Sequence, residues 1–455
     1  MTSTADHAAT SELLAAIDGG LGPSGLRSLV AGRATRRLVH RSLDMLATSL
    51  PARRTLRLRR VTWKPGRNAR ASYDLRCDGG VVPLQLRWML DRPEPAPTDR
   101  ARPRDRAALA TLAPAHAAVA RFAGDDGMAA MGRLLVWPAD PDRPLLAELI
   151  YAGLAPMGLA SGQDPLTLRV LRYRPGQRHV LVVHGPSGPL FVKIGRPGDV
   201  ASTTARAEAV ARALAVQPVR IADVVLVSDD WGAVAYRGVP GRPLTTLIGR
   251  DPAVACAALT ATGSALAALH RSADPSRPMA SVLGRLDPTT EAAVVLRSAE
   301  HLDVLAPAAR GDLASLVVAA CDVLTAEPAG TALLHNDAKC DHILVDGSSP
   351  IGLIDLDSVT TGDPASDVAR LLADLVWHAP SGSIVALRRA VQDGYGPEGR
   401  SFGRRVAAWE TLAIVKQAMR RISVLDPLLT EKVAAQLTGA CRALDRAAGP
   451  RPGDW

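Results

Sequence analysis

The sequence predicts an α+β fold, and three observations carry that reading. Two β-rich segments, one near 55–90 and one from about 170, resemble each other. From about 250 onward apolar residues recur at three- and four-residue spacing, the mark of helices packed by one face. A single β-rich stretch, Ala332–Thr360, interrupts those helices.

Residues 1–50 read as two short helices, the first placing Leu13, Leu14 and Ile17 on one face before Gly19-Gly20 stops it. Strands follow at 55–90 around a Pro65-Gly66 turn. The Pro-rich run 91–105 reads as a loop, and an Ala-rich helix is predicted at about 105–122. The chain then repeats itself. Val61-Thr-Trp-Lys-Pro-Gly-Arg resembles Leu171-Arg-Tyr-Arg-Pro-Gly-Gln. Gly132-Arg-Leu-Leu-Val-Trp, followed by Arg143-Pro-Leu, resembles Gly232-Ala-Val-Ala-Tyr-Arg, followed by Arg242-Pro-Leu. An offset of roughly 100 residues suits a duplicated domain and is too long for a solenoid repeat. Long helices are predicted at Ala253–Ser272, Ala306–Leu324 and Arg404–Leu425.

Composition narrows the function. The 455 residues suffice for two or three domains. The net charge of +9 is spread over scattered Arg, without a long basic run or interleaved aromatics, which argues against a nucleic-acid-binding protein. Five separated cysteines without a CxxC pair suggest neither zinc nor disulfides, and reduced thiols fit a cytoplasmic protein. The N-terminus lacks the pattern of a signal peptide, and no run of about 18 uncharged apolar residues is read as a membrane span. Only five lysines occur, so Lys193 and Lys339 stand out.

The richest chemistry lies in Leu333-Leu-His-Asn-Asp-Ala-Lys-Cys-Asp-His-Ile-Leu-Val-Asp, followed after a turn by Ile351-Gly-Leu-Ile-Asp-Leu-Asp. Two apolar runs around Asp346-Gly-Ser-Ser-Pro predict a hairpin. Its opposite ends would bring His335, Asp337, Lys339 and His342 together with Asp355 and Asp357. Phosphoryl transfer needs such a set: a carboxylate for the attacking hydroxyl, a carboxylate for a divalent cation, and a cation for the moving phosphoryl group.

These motifs resemble the catalytic and metal-binding loops of the aminoglycoside phosphotransferase family, over roughly 165–425. The resemblance implies a protein-kinase-like two-lobed fold with an extra N-terminal domain that looks like a degenerate small lobe. It divides the chain into a cap at 1–155, a nucleotide-binding lobe at 156–238 and a helical lobe at 239–455. ATP and Mg2+ are the implied cofactors, and a small-molecule hydroxyl is the implied acceptor. Asp337 matches the catalytic base, with His335 bracing the loop and Lys339 near the transferred phosphate. Asp355 matches the metal ligand, with His342 and Asp357 beside it. Lys193, on the strand Pro189-Leu-Phe-Val-Lys-Ile, matches the phosphate-binding Lys and is expected to pair with Glu208. Gly176 would lie in a phosphate-covering hairpin, and the backbone of Arg237, Gly238 and Val239 would face adenine. Asp363 and Asp367 match structural positions. In the first copy of the repeat Arg87 falls where Lys193 lies in the second, which makes that copy a cap or a dimer surface.

Two positions depart from the family pattern. Asn336 replaces a Gly, and His342 replaces the metal-binding Asn, although magnesium prefers oxygen ligands. A catalytically weak or inactive nucleotide-binding pseudokinase is therefore the alternative. The acceptor is expected against the C-terminal helices near Asp374, Trp377, His378 and Glu410, with Trp409 read as core. Arg404, Arg405, Arg420 and Arg421, without an acidic cluster, weigh against a polycationic antibiotic. A sugar, a neutral metabolite or an anionic acceptor fits as well.

Overall fold

The computed structural model describes residues 22–46, 54–77, 80–89, 119–121, 132–138, 140, 142–143, 146–151, 154–159, 167–185, 188–272, 283–327, 329–347, 350–380 and 382–449. Helices α1 (Pro23–Ala31) and α2 (Arg33–Leu46) open it. The face drawn through Leu13, Leu14 and Ile17 lies outside the described residues. Strands β1 (Arg54–Lys64), β2 (Asn68–Cys77), β3 (Gly80–Met89), β4 (Val119–Arg121) and β5 (Gly132–Val136) form an antiparallel sheet in the order β1-β2-β3-β5-β4. The Ala-rich helix predicted at 105–122 is corrected at its end. Val119–Arg121 is a strand, because its backbone completes the sheet edge against β5; residues 105–118 lie outside the described residues.

After a short helix, α3 (Leu146–Tyr151), come β6 (Thr167–Arg174), β7 (Arg178–Gly185), β8 (Gly188–Ile194), helix α4 (Val200–Ala213), β9 (Val219–Ile221), β10 (Val224–Ser228) and β11 (Ala233–Arg237). The second sheet runs β6-β7-β8-β11-β10, the strand order of the first. Register agrees as well. Lys193 faces Val180, four residues beyond Gly176, and Arg87 faces Arg70, four residues beyond Gly66.

Each sheet buries one face. In the first, Leu26, Leu29, Leu38 and Leu43 of α1 and α2 pack on Val61, Trp63, Leu86 and Trp88. The Trp88 indole donates to the Leu29 carbonyl at 3.0 Å. In the second, Leu146 and Leu149 of α3 pack on Leu181, Val183, Val192 and Ile194.

The remaining elements are β12 (Arg242–Pro243), α5 (Pro252–Arg271), α6 (Pro288–Ser298), α7 (Pro307–Ala326), β13 (Ala332–Leu334), β14 (Ile343–Val345), β15 (Ile351–Leu353), β16 (Thr360–Gly362), α8 (Ala365–His378), α9 (Ile384–Tyr395), α10 (Arg400–Arg421) and α11 (Leu429–Ala448). The three predicted long helices are α5, α7 and α10. Asp251 caps α5, its carboxylate accepting from Val254 N–H at 3.1 Å. The predicted hairpin is β14–β15, with β12 and β9 completing a sheet in the order β12-β14-β15-β9.

Helix α5 corrects the reading of apolar runs. It has the length and the mean hydropathy, 1.6, of a membrane span, yet half of that window is buried inside the helical lobe. Its close neighbour there is α9. A Cβ at Gly394 would lie 1.9 Å from the Thr260 carbonyl oxygen, so glycine sets the spacing of the two helices. Gly394→Ala is expected to push them apart and cost about 1–3 kcal/mol, the range for overpacking a close contact. Urea unfolding of the variant and the parent chain checks this.

Candidate active site

Folding of the β14–β15 hairpin joins the two ends of the motif. Asp337, His342 and Asp355 each bring a ligand atom to within 4.8 Å of the others. Lys339 Nζ donates to Asp337 Oδ2 at 3.1 Å.

The loop carrying Asp337 is held from beneath by a buried acid. The carboxylate of Asp367, on the first turn of α8, accepts the backbone N–H groups of His335 and Asn336, both at 2.7 Å. Its other partner is His270 Nε2 at 3.2 Å. Burial alone would raise the Asp367 pKa. The hydrogen bond and charge of His270, with His335 and the Asn336 N–H, outweigh it and hold the carboxyl below its ordinary value. Asn336 takes a left-handed conformation with φ of 60°. That explains the family's Gly here. Asn is the side chain that best tolerates this region, and its amide donates to the Ser358 carbonyl at 3.0 Å. Asp374, fully buried, accepts Cys340 N–H at 2.8 Å and pairs with Arg421.

Two histidines link the loops. His335 Nδ1 accepts the Asp337 N–H at 3.3 Å, which leaves Nε2–H to donate to the Ile354 carbonyl at 3.2 Å. His342 Nδ1 faces the Asp337 carbonyl at 3.0 Å and so carries the proton there. Its Nε2 lone pair then points at Asp355 Oδ2, 3.3 Å away. Burial and Lys339 hold the imidazole below its ordinary pKa, against the pull of Asp355 and Asp337. A neutral imidazole and two carboxylates thus turn lone pairs toward one point. Such an arrangement fits a cation between them.

Asp355 itself has φ of 64°. Burial would raise its pKa; Lys193, His342 and Arg178 override that and hold the carboxyl far below the usual range. Lys193 Nζ bridges Asp355 at 2.8 Å and Asp357 at 2.7 Å, and lies over the Tyr236 ring. Arg178 closes the cluster on Asp357.

Two cavities meet at Asp355. One, about 270 Å³, is apolar and lined by Val180, Phe191, Ala222, Tyr236, Val239 and Leu344, with Lys193 and His342 at its edge. Arg237 and Val239 line it; Gly238 packs its N–H on the Pro189 carbonyl at 2.9 Å. The other, about 600 Å³, is a polar cleft holding Asp337, Lys339 and Asp341.

Several expectations are corrected. Glu208 does not meet Lys193. It sits exposed on α4 and pairs with Arg212, while Arg206 of the same helix bonds the Val359 carbonyl. The N–H of Gly176 is already engaged, donating to the buried Asp140 carboxylate at 3.0 Å. Asp374 lies under the loop that carries Asp337, not in the cleft. Glu410 is buried between Arg388 and Arg446 in a separate cavity. Trp377 stacks under Arg421, which also reaches His378. Trp409 is core, its indole donating to Asp363 at 2.8 Å, and Asp363 also caps the start of α8 by accepting Ala365 N–H at 3.0 Å.

Sequence reasoning overlooked two groups. Arg178 directly follows the Pro-Gly-Gln turn, and that position was the signal. The other is a clamp from the first unit: Asp140 holds Gly176 N–H, Arg143 and His179, Arg143 reaches the Gln177 carbonyl at 2.8 Å, and Arg87 reaches the Pro175 carbonyl. Arg143 was visible as part of the repeat.

A profile of the phosphotransferase enzyme family matches residues 170–409, just over half of the chain. No curated protein matches it. Similar solved structures include a choline/ethanolamine kinase family protein from Mesorhizobium loti, at 16% identity and TM-score 0.46, covering 66% of this chain and 97% of that one. Macrolide 2′-phosphotransferase MphH from Brachybacterium faecium follows at 18% and 0.41, covering 67% and 98%. Amicoumacin kinase hAmiN aligns at 13% and 0.48, covering 67% and 94%. The matched span contains Lys193 and both acidic loops, and the chain belongs to the phosphotransferase enzyme family, as a small-molecule kinase.

Proposed function

We propose that the protein transfers the γ-phosphoryl group of ATP, with Mg2+, to a hydroxyl of a small molecule. The observation that carries this reading is the meeting of Asp337, His342 and Asp355 where an apolar cavity opens onto a polar cleft. The apolar cavity suits a purine base. Lys193 and Arg178, which neutralise Asp355 and Asp357, are the cations within reach of the phosphates.

Asp337 faces the cleft and accepts the proton of the acceptor hydroxyl. Lys339 donates to Asp337 and offsets charge near the moving phosphoryl group. His335 ties the Asp337 loop to the end of β15 through Ile354. Asp355 and His342, with Asp337 near, would hold the magnesium, which supplies charge neutralisation on the phosphate oxygens. The first unit takes part indirectly: Asp140, Arg143 and Arg87 fix the 174–177 turn beside Lys193.

Asp337→Asn is expected to lower kcat by about 10²–10⁴-fold while calorimetric binding of Mg·AMP-PNP is kept. Tight nucleotide binding with no transfer by the parent chain, unchanged by this substitution, would mark a non-catalytic nucleotide-binding protein instead. His342→Ala should raise the Mg2+ concentration needed for half-maximal rate by about 10–100-fold, and EDTA should abolish turnover. Asp140→Ala frees the turn. The KM for ATP should then rise several-fold in steady-state assays, with the acceptor KM little changed.

A further inference from the structure

The polar cleft beside Asp337 is strongly basic. Ten cationic side chains line it against three carboxylates, and two of the three, Asp337 and Asp355, belong to the catalytic set. Half of these cations have acidic partners: Arg178 pairs with Asp357. Lys339 pairs with Asp337, Arg370 and Lys416 with Glu291, and Arg421 with Asp374. Arg60, Arg172, Arg174 and Arg420 form no ion pair with a carboxylate among the described residues. They come from β1, β6 and α10, so three separate parts of the chain converge there.

The four are close enough to repel. Arg60 donates to the Arg420 carbonyl at 3.5 Å, which brings β1 against α10. Burial, with Arg172, Arg60, Arg178 and Arg420, pushes the Arg174 guanidinium down to about 10. Burial, Arg420 and Arg172 act on Arg60 in the same direction. Like charges gathered without counter-charge stand at a cost that a bound anion relieves.

The nucleotide does not account for this cluster. Its phosphates are served by Lys193 and Arg178 at the edge of the apolar cavity; Arg60, Arg174 and Arg420 line the polar cleft beside Asp337 and take no part in lining the apolar cavity, although Arg174 also borders the groove beside Lys193. At about 600 Å³ the cleft suits a small molecule, not a polymer. A polycationic acceptor would meet direct repulsion there.

Resting on the kinase reading above, we propose that the acceptor is a small hydroxylated anion, an alcohol bearing phosphate or carboxylate groups. It binds between the first sheet and α10, with Arg60, Arg174 and Arg420 on its anionic groups and its hydroxyl at Asp337. Thr62 and Ser72 of the first sheet face the same cleft and supply hydroxyls for its neutral oxygens. In the reaction Asp337 takes the hydroxyl proton and the acceptor oxygen bonds to the γ-phosphorus. The bond from that phosphorus to the β,γ-bridging oxygen breaks with its electron pair, giving ADP and a phosphate ester. The first unit is then one wall of the acceptor site, not a remote cap.

Two measurements on the full chain test this. Fructose 1,6-bisphosphate and fructose are titrated calorimetrically onto protein saturated with Mg·AMP-PNP. The bisphosphate is expected to bind and fructose not. In Arg60→Ala/Arg420→Ala its Kd should rise at least tenfold, while Arg60→Lys/Arg420→Lys keeps most of the affinity. No binding of the bisphosphate, or binding that the alanine pair leaves unchanged, overturns the proposal. The second measurement follows label from γ-labelled ATP to glucose 6-phosphate, gluconate, glucose and kanamycin. Transfer to either anion separates phosphate from carboxylate recognition, and its KM should rise at least tenfold in the alanine pair with the ATP KM within twofold. Transfer to glucose or kanamycin at a KM no worse than the anions overturns the proposal. Loss of AMP-PNP binding by the parent chain would sink the kinase reading alone, because the bisphosphate titration without nucleotide still reports the anion site.

Discussion

One buried carboxylate governs the geometry of the centre. Asp367 takes up two successive backbone N–H groups of the loop, and His270 satisfies its remaining charge. An ionised group with no exposure persists only when its hydrogen bonds are complete. Those bonds force Asn336 into the left-handed region, and that bend turns Asp337 away from the helices and into the cleft. Asp374, on the next turns of α8, repeats the device at Cys340. The loop is therefore written onto one face of one helix, where Asp367 and Asp374 stand seven residues apart, and Asp337 inherits the rigidity of α8.

Much of this was legible in the sequence because it is local. The hairpin followed from two apolar runs around a turn, and the meeting of Asp337 with Asp355 followed from the hairpin. The duplicated sheets were legible from two Pro-Gly turns with matching flanks. Charge partners set by rotation or by distant segments were not. Glu208 illustrates the first case. At about 100° per residue, it lies some 200° around α4 from Arg206, the side chain that faces the metal loop. Asp374 and Glu410 illustrate the second. Each looked like a cleft acid, and each is consumed by an arginine brought from another helix. The helices α6, α8, α9 and α11 also escaped notice as elements, since their apolar faces interrupt polar runs and match a partner only once packed.

The two β units have parted in role. In the second, the strand position four residues past the turn glycine carries Lys193 and serves the acidic loops. In the first, the equivalent Arg87 turns to the neighbouring unit and holds its Pro175 carbonyl. One cation meets two carboxylates while its counterpart is a structural tie, and β1 and β2 of the first sheet line the cleft.

The clamp on the 174–177 turn has a consequence for motion. The first unit grips the second through Asp140 and Arg143, and it also grips the helical lobe, where Arg27 donates to the Leu425 carbonyl at 2.7 Å and Val424 enters its core. It thus works as a strut across both lobes. Contacts on both sides of the cleft oppose any change in its width. Each such contact formed on folding lowers the ordering entropy left to be lost when reactants bind.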